Sequence, residues 1–233
     1  MTDRTTPGRL LRSVKGNSLG LVFGIAFLLA LVGQAFAGHA DFNNELAAEG
    51  FEPVGLGAYV TSSDFAVDTM ENWQSEYLQF FLYILLTVWL VQRGSPESKD
   101  VEDAGRGTDE EQRVGPYARP DSPRWARVGG IRQRVYSNSL GLVMGGVFVL
   151  SWLAQSISGA AAHNEQRLRQ LQDPLDWSDY VLSADFWNRT LQNWQSELLA
   201  IASMAVLSIY LRQRGSPESK PVGAAHRATN IEG

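Results

Sequence analysis

Apolar residues fall into four blocks, with charged and polar residues gathered between them. The first block runs from Leu19 to about Ala37 and the third from Leu140 to about Ala162, and neither carries a charge. At ~1.5 Å per residue, runs of this length cross most of a ~30 Å hydrocarbon layer. The second block, Tyr77 to Val91, and the fourth, Leu198 to Leu211, are shorter. A helix over the second covers only roughly 22 Å, so spanning requires Trp73 to Glu76 to sit at the outer edge of the hydrocarbon. Trp73 and its counterpart Trp194 suit that depth, because tryptophan prefers the interface. The pattern predicts an all-α fold: a four-helix transmembrane bundle made by tandem duplication of a two-helix hairpin. The competing arrangement, a soluble bundle with buried helices, fits poorly with uncharged runs this long.

The duplication is read from the chain itself. Asn17-Ser18-Leu19-Gly20-Leu21-Val22 returns as Asn138-Ser139-Leu140-Gly141-Leu142-Val143. Asn72-Trp73-Gln74-Ser75-Glu76 returns as Asn193-Trp194-Gln195-Ser196-Glu197. Arg93-Gly94-Ser95-Pro96-Glu97-Ser98-Lys99 returns as Arg214-Gly215-Ser216-Pro217-Glu218-Ser219-Lys220. All three pairs share an offset of 121 residues, and Tyr59, Asp64 and Phe65 match Tyr180, Asp185 and Phe186 at the same offset. A period this long denotes a duplicated domain rather than a solenoid. The expected organisation is a first two-span repeat over 1–99, a charged linker over 100–135, a second repeat over 136–220 and a tail over 221–233. An even number of spans per copy leaves both copies in one orientation, so the expected relation is a pseudo-twofold axis along the membrane normal.

Charge sets the orientation. Of 20 lysines and arginines, the first inter-helix loop, 38–72, holds none, and the second, 159–193, holds only Arg167, Arg169 and Arg189. The rest lie in the N-terminal segment, the linker and the tail, which the positive-inside rule places in the cytoplasm. The first block also resembles a secretory signal peptide, with Ala35-Phe36-Ala37 as a cleavage site. Its recurrence at Leu140 argues instead for a span. The expected location is a membrane, crossed several times, with both termini cytoplasmic and the lipid bilayer as a partner. A homo-oligomer or a membrane-protein partner stays open.

Composition narrows the chemistry. A net charge of −5 gives no global basic character and little support for nucleic-acid binding. The absence of cysteine excludes disulfides, thiolate metal sites and cysteine nucleophiles. No phosphate loop, serine–histidine–acid arrangement or zinc spacing occurs. His39 and His163 lie just outside the first and third spans and at different repeat offsets, so no metal site and no cofactor is expected, nor an enzyme. Residues 93–135 mix both charge signs with Gly, Pro and Ser and predict a mobile linker. The tail from Arg212 looks similar; Ser95 in the linker and Ser216 in the tail are candidate phosphorylation sites, although solvated segments account for them. In the outer loops, Ser63 or Asp64, and Ser183 or Asp185, are candidate helix caps, with the acidic stretches upstream irregular.

The candidate polar site is the Asn-Trp-Gln-Ser-Glu block: Asn72, Gln74 and Glu76, with Asn193, Gln195 and Glu197. Asn72, Glu76, Gln79, Tyr83 and Thr87 recur every three or four residues and so share a helix face. A carboxylate at membrane depth is costly and usually faces protein or water. Glu76 and Glu197 therefore either line an outer vestibule for a cation or protons, or fix helix register through neighbouring amides. Gln34 and Gln155, near the outer ends of the first and third spans, are the expected amide partners. Gly20 with Gly24, and Gly141 with Gly145, form small-residue faces suited to helix packing.

Together, the Asn-Ser-Leu-Gly-Leu, Asp-Phe, Asn-Trp-Gln-Ser-Glu and Arg-Gly-Ser-Pro-Glu-Ser-Lys elements resemble a bacterial membrane-protein family of unknown function, common in actinobacteria. The resemblance covers nearly the whole chain apart from the linker and tail. It implies a four-helix membrane protein and carries no activity, cofactor or catalytic residue. Two roles fit these expectations: a structural or accessory membrane protein, and a small cation- or proton-linked transporter or channel using Glu76 and Glu197.

Overall fold

In the computed structural model, residues 14–231 are described, and all their regular structure is helical. The expected cytoplasmic N-terminal segment lies mostly outside the described residues. The chain divides into two compact units, 1–66 and 67–233.

The first unit holds α1 (Ser18–Ala48), α2 (Leu56–Val60) and the start of α3 (Ser63–Leu86). The apolar run of α1 ends near Ala37, yet the helix continues to Ala48, so the stretch expected to be irregular is largely helical. The end of an apolar run marks a change of surface rather than of backbone, and nothing between Gly38 and Ala48 breaks a helix. The stop comes at Gly50, whose φ of 82° is left-handed. Gly50 N–H donates to Ala47 O at 3.2 Å and Phe51 N–H to Leu46 O at 2.8 Å, the paired bonds of a Schellman cap. Over its most apolar stretch α1 has no buried residue, and Leu19, Val22, Phe23 and Leu29 stand exposed around it.

The second unit contains the rest of α3, then α4 (Arg124–Arg127), α5 (Gly130–Ser137), α6 (Ser139–Arg169), α7 (Trp177–Val181) and α8 (Ala184–Tyr210). α6 matches α1 in length, 31 residues each. Its stop repeats the Schellman cap, with Leu171 N–H on Leu168 O at 3.0 Å and Gln172 N–H on Arg167 O at 2.8 Å. Here Leu171 takes the left-handed position, at φ 58°. The core gathers where α6, α7 and α8 converge: Ala160, Tyr180 and Phe186, with Trp152 and Val181 against them.

Among the described residues, α1 and α6 are the two helices long and apolar enough to cross a membrane. The expected bundle contains four such helices. α3 and α8 are nearly as long, but their first halves are polar: α3 carries Asp64, Asp68, Glu71 and Glu76 before Tyr77. α3 also ends at Leu86, five residues before the end of the apolar block at Val91.

The linker is more structured than its composition suggests. It has 3-10 turns at Val101–Asp103 and Gly115–Tyr117 as well as α4 and α5. The Arg-Gly-Ser-Pro-Glu-Ser-Lys motif that follows α3 and α8 is a built turn, with Gly94 and Gly215 left-handed at φ 85° and 78°. Ser98 Oγ accepts from Gln92 N–H at 2.8 Å, and Ser219 Oγ from Gln213 N–H at 2.9 Å. Ser95 is buried, so the exposure a kinase needs is missing there. Lys220, 1% exposed, donates to the carbonyls of Gly94 at 2.5 Å, His226 at 2.9 Å and Ala228 at 3.2 Å, fastening the tail to the first motif.

Candidate functional site

α3 and α8 bring their polar first halves together. Arg189 of α8 donates from Nη2 to Asp68 at 2.6 Å and from Nε to Glu71 at 2.7 Å. Burial opposes the Arg189 charge, but Glu71 and Asp68 more than offset it and raise its pKa above the ordinary arginine value. Burial also pushes the Glu71 pKa up, against the pull of Arg189. These tendencies conflict over Glu71. The ion pair prevails, because arginine keeps its proton and the contact is short.

One turn further along, Gln74, fully buried, accepts at Oε1 from Trp194 Nε1 at 2.7 Å. Gln79 Nε2 reaches the carbonyl of Glu197 at 3.5 Å. Gln155 of α6, also fully buried, points its amide at Thr190 Oγ1, 3.5 Å away. Trp152 packs beside this layer, its ring centroid 5.6 Å from that of Trp194 and 6.1 Å from that of Trp187. Several polar atoms here lack a partner among the described residues: Thr69 Oγ1, Gln74 Nε2, Gln155 Oε1 and Trp152 Nε1.

The residues singled out from the sequence separate into groups. Gln74 and Gln155 enter the buried layer, and Gln155 turns to Thr190 rather than to a glutamate. Asn72 and Asn193 serve their own helices, donating to Asp68 O at 2.6 Å and Arg189 O at 2.9 Å. Gln195 and Glu76 are exposed, and Gln34 and Glu197 are half-buried. Among the described residues, neither glutamate side chain has a hydrogen-bond or ion-pair partner. Of the packing glycines, a Cβ on Gly145 would press on the Phe81 ring at 2.9 Å, whereas one on Gly20, Gly24 or Gly141 would meet no described heavy atom within 4 Å. Tyr83 donates to Glu97 and Thr87 to Tyr83 O at 2.6 Å, so the lower part of the polar stripe serves the turn after α3.

Each inter-helix loop is braced from below. Asn43 brackets Val54, accepting from its N–H at 2.8 Å and donating to its O at 3.0 Å; Asn164 does the same to Leu175 at 2.8 and 2.9 Å. Tyr59 and Tyr180 are buried with their hydroxyls over Gly38 and Gly159, and a Cβ on either glycine would overlap the hydroxyl. The cap of α3 is Ser62, one residue before the expected position, with Phe65 N–H on its Oγ at 3.3 Å. Ser183 caps α8 through Phe186 N–H at the same 3.3 Å. Asp185, the other expected cap, instead accepts from Tyr180 Oη at 3.3 Å and lies 3.7 Å from His163. His39 meets Val54 O at 2.7 Å. Among the described residues no group of His, Asp and Glu could hold a metal.

Sequence reading missed the clamp formed by Asp68, Glu71 and Arg189, as well as Thr190 and the Gly38 and Gly159 contacts. A signal for it existed: Arg189 stands 121 residues after Asp68, with opposite charge at equivalent positions. Gly38 and Gly159 share that offset too.

Residues 10–231 match a family described as a domain of unknown function, DUF6766. The chain belongs to the DUF6766 family. No curated protein and no solved structure matches it. The match runs through the linker and most of the tail, so the built turns, the cytoplasm-expected helices and the Lys220 contact all lie within the DUF6766 domain.

Proposed function

We propose that this DUF6766 chain is a multi-pass protein of the bacterial inner membrane, built from two tandem two-helix units, with a structural or accessory role and no catalysis. The observation that carries this reading is the clamp between α3 and α8. Arg189 spends its donors on Asp68 and Glu71, and Trp194 spends its N–H on Gln74, so these polar groups hold helices together. The exposed apolar surfaces of α1 and α6 support the membrane assignment. The equal-offset brackets, caps and glycine–tyrosine contacts support the tandem duplication. α3 and α8 are read as the remaining two spans, their apolar second halves in lipid and their clamped first halves at the interface.

A second reading, a cation- or proton-linked pathway, is favoured by one observation: Glu76 and Glu197 have carboxylates without partners among the described residues. The absence of cysteine makes the test direct. Single cysteines replace Glu76 and Glu197, with Glu52 as the outer control and Ala104 as the inner one. Intact cells are then treated with a membrane-impermeant thiol reagent. The structural reading expects labelling at Glu52 and none at the half-buried Glu197 position. Labelling at both glutamate positions transfers the case to a water-filled vestibule, and labelling at Ala104 but not Glu52 reverses the topology.

A further inference from the structure

The strongest unexplained feature lies at the opposite end of the helices from the clamp. The linker folds around a cavity of about 1030 Å³, which opens beside the start of α6. Lys99, Arg106, Arg113 and Arg134 line it, against a single carboxylate, Asp109. Among the described residues none of the four cations forms a salt bridge. Lys99 donates to Gly105 O at 2.5 Å and Arg106 to Asn138 Oδ1 at 2.9 Å, both neutral acceptors. Arg113 sits in the left-handed region, at φ 52°, a conformation that costs a non-glycine residue about 1 kcal/mol or more. The first residue of α5, Gly130, also lines the cavity, and no side chain caps that helix. Its first-turn N–H groups add positive potential on the same side.

Four cations around one space repel each other, and a chain with a net charge of −5 has acids to spare for pairing. Asp100, Glu102, Asp103, Glu110 and Glu111 are close in sequence, yet none of them lines the cavity. An unneutralised cationic cluster around one cavity is a site for a polyvalent anion.

We propose that this cavity binds a phosphate group, held by the cations that line it, Lys99, Arg106, Arg113 and Arg134. Its place at the foot of α6 fits the headgroup of an anionic phospholipid, because basic pockets at the cytoplasmic ends of membrane helices take such headgroups. A free phosphate has the same chemistry. The lipid source rests on the membrane reading above; the phosphate chemistry does not.

The test uses the full chain purified in mild detergent. Thermal midpoints are measured with phosphatidic acid, phosphatidylglycerol, phosphatidylcholine or inorganic phosphate, and lipid retention is followed by native mass spectrometry. Arg113→Gln, Arg134→Gln and their double variant are compared with the parent. Both arginines are exposed, so the variants fold. A raised midpoint and retained lipid with the anionic lipids but not with phosphatidylcholine establish a headgroup site. A rise with inorganic phosphate equal to that with phosphatidic acid establishes a free-phosphate site. In either case each substitution lowers apparent affinity by about fivefold, the equivalent of ~1 kcal/mol per basic residue. The proposal is overturned if no anion outperforms phosphatidylcholine, or if the double variant binds like the parent. Carbonate extraction of membranes separates the two failures: a chain released by carbonate sinks the membrane reading and leaves the phosphate arm to be judged alone.

Discussion

The stretch from Gly38 to Phe65 and the stretch from Gly159 to Phe186 perform one construction with different materials. In both, a glycine admits a tyrosine hydroxyl, an asparagine brackets a loop peptide, and a serine caps the next helix. Around that frame the side chains diverge. Phe42 packs on Tyr59 at 5.5 Å between centroids, and His163, at the equivalent position, packs on Tyr180 at 5.4 Å and adds a contact to Asp185. Gly50 ends α1, and Leu171 ends α6 in the same left-handed conformation. Backbone hydrogen bonds and close approaches leave little choice of residue, whereas surface packing leaves much. Positions that agree between the two stretches therefore mark backbone constraints, and positions that differ mark where packing leaves the residue free.

The largest expected effect comes from breaking what the loops share. Gly159→Ala places a methyl on the Tyr180 hydroxyl, and Gly38→Ala does the same at Tyr59. Each lowers stability by about 1–3 kcal/mol, the usual range for overpacking. Thermal unfolding in detergent measures it. Adding Tyr180→Phe to Gly159→Ala removes the struck atom and recovers part of the loss; no recovery would mean that the glycine is needed for another reason.

Next comes a pair of opposite charges 121 residues apart, Asp68 and Arg189. Arg189→Ala leaves Glu71 half-buried without its partner and costs about 2 kcal/mol, less than a fully buried pair because solvent reaches part of the site. Asp68→Asn costs no more than about 1 kcal/mol, since 46% of that side chain is exposed. The sharper experiment exchanges the charges, Asp68→Arg with Arg189→Asp. It keeps one opposite-charge contact but moves the cation off Glu71, so it restores only part of the loss. Full restoration would show that Glu71 adds nothing to the clamp.

The helix stops give a smaller effect, with opposite signs after α1 and α6. Leu171 pays the strain of a left-handed backbone while 96% exposed, so its side chain offers no packing in return. Leu171→Gly stabilises by about 1 kcal/mol, and Gly50→Leu destabilises by a similar amount. Equal and opposite shifts in unfolding midpoint confirm that the two caps are interchangeable. A loss on Leu171→Gly would reveal a contact made by the leucine.

The sequence was legible where a period or an offset carried the information. The apolar runs located α1 and α6, and the 121-residue offset anticipated which loop residues recur. The helix ends were not legible from hydropathy, because α1 and α6 leave their apolar segments and stay helical until Gly50 and Leu171 impose a stop. The linker's turns and short helices are not legible in the sequence, because they rest on side chain-to-backbone bonds, such as Lys99 to Gly105 O, which leave no periodicity. Of the polar block, Gln74 joins the buried layer while Gln195, its equivalent, stays exposed. One motif in two copies could not disclose which copy faces inward. That depends on Arg189 and Trp194 reaching across from α8.

The smallest effect on stability concerns the residues that first drew notice. Glu76 and Glu197 hold no partner among the described residues, so Glu76→Gln and Glu197→Gln remove no clamp contact. The unfolding midpoint in detergent is expected to move by less than the ~0.5 kcal/mol typical of surface substitutions. The double variant should behave alike, since neither carboxylate braces the other. The contrast with Arg189→Ala is the informative quantity. If the glutamate variants approach the arginine variant in cost, both carboxylates belong to the clamp and the vestibule reading loses its basis. If stability holds while proton or cation flux into vesicles containing the protein falls, the same two residues carry function without carrying structure. Unchanged stability together with no flux in the parent leaves the clamp as the use of this polar face.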